Sequence, residues 1–475
     1  MQEESQSIVS EKGADYAAQD ASFFQALRRE EYGRLDAAAQ TYLDFTGGNL
    51  YAASQLAKHQ TLLAENVFGN PHSTNPSSLF ATKLVNEARE RVLEFFNATE
   101  DYICVFTANA SGALKIVGES YPFNSESIFL LLADNHNSVN GIREFCKAKG
   151  GVSEYIPVFC ENLQLDENAL NAALDAASDK KCKLFAMPAQ SNVSGVKHPL
   201  TWIKKAQEKG FDVLLDAAAF VPSTRLDLQE YQPEFVSVSF YKIFGYPTGL
   251  GCLLLRKTAF QKLHKPWFAG GTVSFVSVKN PSYFLTENHE RFEDGTLNYL
   301  GIPAITFGLD YIESIGMPRI SRRVKSLAIQ LAEGLKAIKH SNGKPAIKIY
   351  GPQNFDSRGG NIILNFFDVD GTAVPTYYVE QLANKEKISL RSGCFCNPGI
   401  DEINYSISEN EISQYFSSNE EKSVDEVIAH LKMMRGAVRV SVGIATVEKD
   451  IERLCTVIAQ LKDKTVVEII GLSKT

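Results

Sequence analysis

Between about residues 100 and 310, short apolar runs alternate with segments whose apolar residues recur at helical spacing, and this alternation most constrains the fold. DYICVFTA, SIFLLLAD, KLFAMPA, FDVLLDAAA and FVSVSF are the strand candidates. Strands separated by helical patterns read as a mostly parallel α/β sheet with crossover helices. Each run ends in small or polar residues, where an open sheet of this kind places its ligands. From residue 321, SRRVKSLAIQLAEGLKAIKH reads as a long amphipathic helix leading into a smaller α+β domain. That domain starts with strands in IKIYG and GGNIILNFF and closes with a strand in AVRVSVG and a helix from Glu448 to Leu461. The expected division is a large domain over 65–318 and a small domain made of 1–64 and 319–475.

With 475 residues, 44% hydrophobic and 22% charged, the chain is long and apolar enough for a large buried core in two or three domains. No internal repeat or low-complexity tract interrupts it. A net charge of −8 argues against a sequence-independent nucleic-acid binder. No apolar run approaches the ~18–20 residues of a membrane span. The opening MQEESQSIVSEKGADYAAQD lacks the apolar centre of a signal peptide, so a cytoplasmic protein is expected. The acidic, Ser-rich stretch from Ser406 to Val424 reads as a surface excursion.

Eight cysteines are too sparse for a disulfide scaffold. Six stand alone and read as small core or incidental residues. Cys394 and Cys396 share the turn-rich RSGCFCNPG. The pair could be half a zinc site, but no second cluster completes four ligands, so no metal is expected and a reactive thiol is the better reading.

The chemistry starts at SVSFYKIFGYPTGLG, where a strand-like run reaches Lys242 and a Gly/Pro-rich turn follows. A surface lysine is the ordinary reading. Here, however, its flanks are aromatic and small, and enclosure lowers a lysine pKa as a carbonyl-bonding amine requires. Asp216 closes the preceding apolar run, where a carboxylate needs a cation or a capping role. Pyridoxal phosphate suits both, because its ring nitrogen wants a carboxylate and its aldehyde a lysine. Its phosphate needs unpaired backbone N–H groups, and FTANASGALK runs from strand to helix through small residues. His136 could lie flat on the ring, or be an ordinary core or surface histidine. Asn192 in PAQSNVSG offers a donor for the ring oxygen, or is a turn residue.

Taken together, YLDFTGGNL, FGNPHS, FTANASGALK, PAQSNVSGV, LLDAAAF, SFYKIFGYPTGLG, FAGGTV and RSGCFCNPG resemble the fold-type I, class V aminotransferase-like enzymes. They resemble the cysteine desulfurase branch most, and within it the N-terminal part of the molybdenum cofactor sulfurases. The resemblance implies a large domain with a mostly parallel seven-stranded sheet. It implies that Lys242 holds the cofactor and moves the substrate Cα proton, that Asp216 pairs with the ring nitrogen, and that His136 stacks on the ring. Asn192 would meet the ring hydroxyl. Ala110, Ser111 and Ser239 would bind the phosphate, the first two through backbone N–H groups. Thr272 would reach the phosphate of a neighbouring subunit, implying a homodimer. Arg439 would clamp the substrate carboxylate in its planar fork, and Arg391 would help it or form a surface ion pair. Cys396 would attack the sulfur of L-cysteine, producing a persulfide and alanine. Cys394 would be a resolving partner or inert.

The sequence also departs from the family pattern. Tyr241 stands where the bacterial type has histidine, as it does in the sulfurase branch, and Ala219 stands where a glutamine is usual. Asn109 and Ala110 replace the glycine and hydroxyl residues common in the phosphate loop, and Ile400 and Asp401 follow NPG where the sulfurase branch often has a third cysteine. The second domain of the long sulfurases lies beyond this sequence, so the sulfur acceptor, protein or cofactor, stays open. Two other readings remain: a pyridoxal-phosphate lyase, aminotransferase or epimerase on another amino acid, and a catalytically retired scaffold or sulfur-carrier partner.

Overall fold

The computed structural model describes residues 20–404 and 436–474, and the Ser406–Val424 stretch lies outside them. A helix over 20–32 and a two-residue strand, β1 (Thr41–Tyr42), come first. Seven strands then build the main sheet: β2 (Tyr102–Thr107), β3 (Ser127–Leu132), β4 (Val152–Ile156), β5 (Cys182–Pro188), β6 (Asp212–Asp216), β7 (Phe235–Ser239) and β8 (Gly251–Arg256). Their order is β2-β8-β7-β6-β5-β3-β4, parallel except for β8, which runs against both its neighbours. The C-terminal ends of β2, β3, β5, β6 and β7 therefore meet along one edge.

Five of these strands are the apolar runs of the sequence. β3 is buried at all six positions, so its burial carries no alternation. β4 was not among those runs because it lies at the sheet edge and leaves Val152 and Tyr155 exposed. The run that reads as strand as far as Lys242 stops at Ser239, and Phe240–Phe244 is a short helix carrying the lysine.

A hairpin of β9 (Val273–Val276) and β10 (Tyr283–Leu285) projects from the large sheet's body. Helix Met317–Lys336 buries Ile320, Val324, Leu327, Leu331 and Leu335, the three- and four-residue spacing of one helical face. It begins four residues ahead of the periodic run because Met317 and Pro318 fit the first turn. Beyond it β11 (Ile347–Ile349), β12 (Asn361–Phe367), β13 (Ala373–Val374), β14 (Ile388–Ser389), β15 (Arg391–Gly393) and β16 (Ala437–Ser441) follow. β11, β12, β16 and β15 form an antiparallel sheet, with β13 on β12.

The two ends of the chain are joined. β1 pairs with β14, Asp44 bridges Ser441, and Arg28 donates to the Ala445 carbonyl at 2.6 Å and pairs with Asp450 at 3.2 Å. Among the described residues no helix is long and apolar enough to cross a membrane.

Candidate active site

A cavity with about 160 Å³ accessible to water opens at the C-terminal edge of the main sheet. Lys242, Asp216, His136, Asn192, Ala110, Ser111 and Ser239 all line it. They come from five different strand ends, separated by up to 132 residues and brought together by the parallel register.

Lys242 stands on the short helix after β7 and is half-buried. Burial pushes its amine below the ordinary lysine range, Asp216 opposes that, Arg439 and Arg391 push it lower, and Cys396 opposes again. Four charged or nucleophilic groups thus act on this one amine. Asp216 closes β6, and its Oδ1 accepts from Ala218 N and Ser237 Oγ, both at 3.1 Å. Oδ2 is left for a ligand. Burial pushes the His136 imidazole down, with Asp216 opposing and Lys242 reinforcing, so the ring is neutral at neutral pH. Its Nδ1 accepts from Ser138 N at 3.1 Å, which sets the ring at the start of the turn after β3.

The phosphate-loop expectation needs one correction. Asn109 caps the helix Ala110–Ser120, its side chain accepting from Gly112 N at 3.0 Å. The Ala110 N–H is not open: it donates to Ser239 Oγ at 2.8 Å. A hydroxyl that accepts one bond keeps its own hydrogen, so Ser239 presents an O–H beside the helix N-terminus. Ser111 Oγ lies 2.6 Å from Ser138 Oγ, so a third hydroxyl belongs to the cradle.

The cysteine loop is anchored by three hydrogen bonds. Cys396 O accepts from Asn137 N at 2.7 Å, Phe395 O accepts from Asn192 Nδ2 at 2.8 Å, and Asn397 Nδ2 donates to Asp134 Oδ1 at 2.8 Å. Asn192 therefore spends one amide hydrogen on the loop. Phe395 and Cys396 both have positive φ, +55° and +57°, a conformation that costs a residue with a side chain. Cys394 and Cys396 are both exposed.

Arg439 is buried at 3%, donating from Nη1 to Asn192 O at 2.9 Å and from Nη2 to Asp44 Oδ1 at 2.9 Å. Arg391, its side chain half exposed, bonds the same Asp44 carboxylate through Nε at 3.0 Å and Nη2 at 2.7 Å. Thr272 does not line the cavity; its hydroxyl is spent on Ala269.

Sequence reasoning missed three residues here. Asp44, buried among the two arginines, was signalled only as a carboxylate inside the apolar YLDF. Asp134 is fully buried and accepts from Asn397, from Ser191 Oγ at 2.7 Å, and lies 3.1 Å from His198 Nε2. Gln190 lines the cavity with Ala219, and its buried Oε1 has no hydrogen-bond partner. That orphaned atom, a lysine held below its usual range, a carboxylate with an open oxygen and a hydroxyl-lined helix N-terminus form a donor set that fits pyridoxal phosphate.

Fold and site together define a pyridoxal-phosphate enzyme of fold type I. The aminotransferase class-V family matches residues 41–454, and the chain belongs to that family. Molybdenum cofactor sulfurase of Bos taurus is 37% identical over 446 residues, which are 89% of this chain and 50% of that protein. The sulfurase of Arabidopsis thaliana is 34% identical over 469 residues, 90% of this chain and 57% of that one. The chain thus spans about half the length of these curated relatives. Among solved structures, a cysteine desulfurase from Thermococcus onnurineus superposes with a TM-score of 0.76 at 24% identity, covering 92% of this chain and 97% of that one. The cysteine desulfurase CsdA from Escherichia coli gives 0.73 at 19% identity, covering 92% and 98%. At these identities the structures speak to the fold.

Proposed function

We propose that this chain is a pyridoxal-phosphate-dependent cysteine desulfurase that moves the sulfur of L-cysteine onto Cys396, leaving L-alanine. The observation that carries this reading is the attachment of the cysteine loop beside the cavity, Phe395 O accepting from the cavity-lining Asn192 Nδ2 at 2.8 Å and Cys396 O from Asn137 N at 2.7 Å. The sulfurase relatives support the same reading.

Bound in the cavity, pyridoxal phosphate supplies an electron sink for the bonds around the substrate Cα. Lys242 would hold it and, when free, carry the Cα proton, which an amine below its usual pKa does readily near neutral pH. Asp216 Oδ2 would pair with the ring nitrogen, and the neutral His136 ring would lie against the ring face. Ser239, Ser111 and the Ala110 helix end would take the phosphate. Arg439 would bind the substrate carboxylate, with Arg391 beside it. The Cys396 thiolate would then form an S–S bond as the substrate C–S bond breaks, so the thiol gains one sulfur and cysteine leaves as alanine.

The finer assignments are part of the proposal. The sulfur passes from Cys396 to a protein or cofactor, and the relatives' name points to a molybdenum cofactor. Two copies form a homodimer, supported by the apolar hairpin β9–β10, where Phe275 and Phe284 are exposed just beyond Thr272. Cys104, Cys146, Cys182, Cys252 and Cys455 lie within the fold as free thiols, which suits a reducing compartment such as the cytoplasm. The division into 65–318 against 1–64 with 319–475 is supported by the pairing of β1 with β14.

The test is alanine release from L-cysteine, with a reductant present, by wild type and Cys396→Ala. Wild type should produce alanine and the variant should not. If neither does while the cofactor absorbance responds to another amino acid, the lyase, aminotransferase or epimerase reading replaces this one.

A further inference from the structure

We infer that Asp44 sets the charge of the substrate-carboxylate subsite, so that it takes amino acids with one carboxylate and turns away those with two. This rests on the reading that Arg439 meets the substrate carboxylate. Asp44 Oδ1 lies 2.9 Å from Arg439 Nη2, while Oδ2 accepts from Arg391 Nε at 3.0 Å and Nη2 at 2.7 Å. One carboxylate against two guanidiniums leaves a single net positive charge.

The arrangement is built rather than incidental. The Asp44 backbone is fixed by Tyr42 OH, Gly47 N and Gly48 N, which all donate to its carbonyl. A Cβ at Gly47 would fall within 2.7 Å of Arg391 Nη2 and meet the Asp44 carboxylate, so the bridge needs a residue without one. Two positions past Arg439, Ser441 Oγ accepts from Thr46 N at 2.9 Å and fixes the same segment against β16.

Nor does Asp44 use up the subsite. Arg439 carries five N–H groups. Two bonds are accounted for, to Asn192 and Asp44, and among the described residues its buried Nε has no hydrogen-bond partner. An incoming carboxylate therefore finds donors on a guanidinium already held in place. It also neutralises the remaining charge. The Arg439 side chain is 4% exposed, so a second carboxylate arriving here meets neither an unpaired cation nor much water. Tyr42 and Tyr241 face the cluster, and burial raises both phenols, so they stay uncharged there.

The experiment titrates the holoenzyme with L-alanine and with L-aspartate, following the cofactor's visible absorbance to obtain two dissociation constants. Wild type, Asp44→Asn, Arg391→Gln and the double variant are compared, and thermal melts establish that each is folded. Wild type should favour L-alanine. Asp44→Asn should move the ratio toward L-aspartate by about tenfold or more. The double variant, with Arg439 as the remaining charge, should return to the wild-type ratio, which lost packing alone would not produce. An unchanged ratio in Asp44→Asn, or no return in the double variant, overturns the assignment. A wild type that answers neither amino acid overturns the amino-acid reading and this inference with it, whereas an answer without the shift removes this inference alone.

Discussion

Lys242 sits between an anion and two cations, and its chemistry follows from that balance. Asp216 steadies its charge while burial and the two arginines destabilise it. Asp216→Asn keeps the shape and removes the charge. Alanine release should then fall about 10²–10³-fold, the size expected when one preorganised electrostatic partner is lost. Steady-state kinetics check this, and the cofactor's absorbance band should shift in parallel. In Lys242→Ala, borohydride should no longer fix the cofactor to the chain, as mass spectrometry of the reduced protein would show. Lys242 and Asp216 were legible because each violates its surroundings: a cation among aromatics, a carboxylate ending an apolar strand. Asp44 breaks the same rule, but its partners lie 347 and 395 residues away, and no local pattern points that far.

At the level of elements, the sheet was readable and its details were not. Runs such as SIFLLL announce a strand by composition alone, whereas VSEYI does not, because an edge strand half in water needs no apolar run. The cysteine loop was found by its residues, but its attachment was not, since hydrogen bonds from Asn137, Asn192 and Asn397 have no signature in the sequence. Gly399 shows how closely the loop packs: a Cβ there would lie 2.0 Å from the Ala133 carbonyl oxygen. Gly399→Ala should therefore cost about 1–3 kcal/mol of stability, as overpacking does. It should lower sulfur transfer more than cofactor retention, because the loop moves while the cavity stays. Denaturant melts and a cofactor-to-protein absorbance ratio separate the two effects.

For the molecule as a whole, two surfaces set its behaviour. The β9–β10 hairpin leaves Phe275 58% and Phe284 66% exposed, the apolar surface on which the proposed dimer would close. Phe275→Asp with Phe284→Asp should shift sedimentation from dimer to monomer, and the wild-type dimer should persist on dilution to micromolar concentration. The second surface joins helix Met317–Lys336 to helix Glu448–Ala459 through Arg323 and Glu448. The hydrogen bond from Arg323 holds the Glu448 carboxyl below its ordinary value, burial opposes this, and the backbone and the arginine's charge lower it further. A depressed folded-state pKa means the contribution is present above the unfolded value, about 4.3, and is lost as pH falls through the folded one. The melting temperatures of wild type and Glu448→Gln should differ at pH 7 and converge toward pH 3.

The bridge from Asp44 to Arg439 also has a consequence in time. The residues of the cofactor cavity, from Asn109 to Lys242, are synthesised as one early stretch of the chain. Arg439 is made some 200 residues later, 395 residues after Asp44. The nascent protein therefore holds every group that could grip a cofactor long before it holds the one that could grip a substrate.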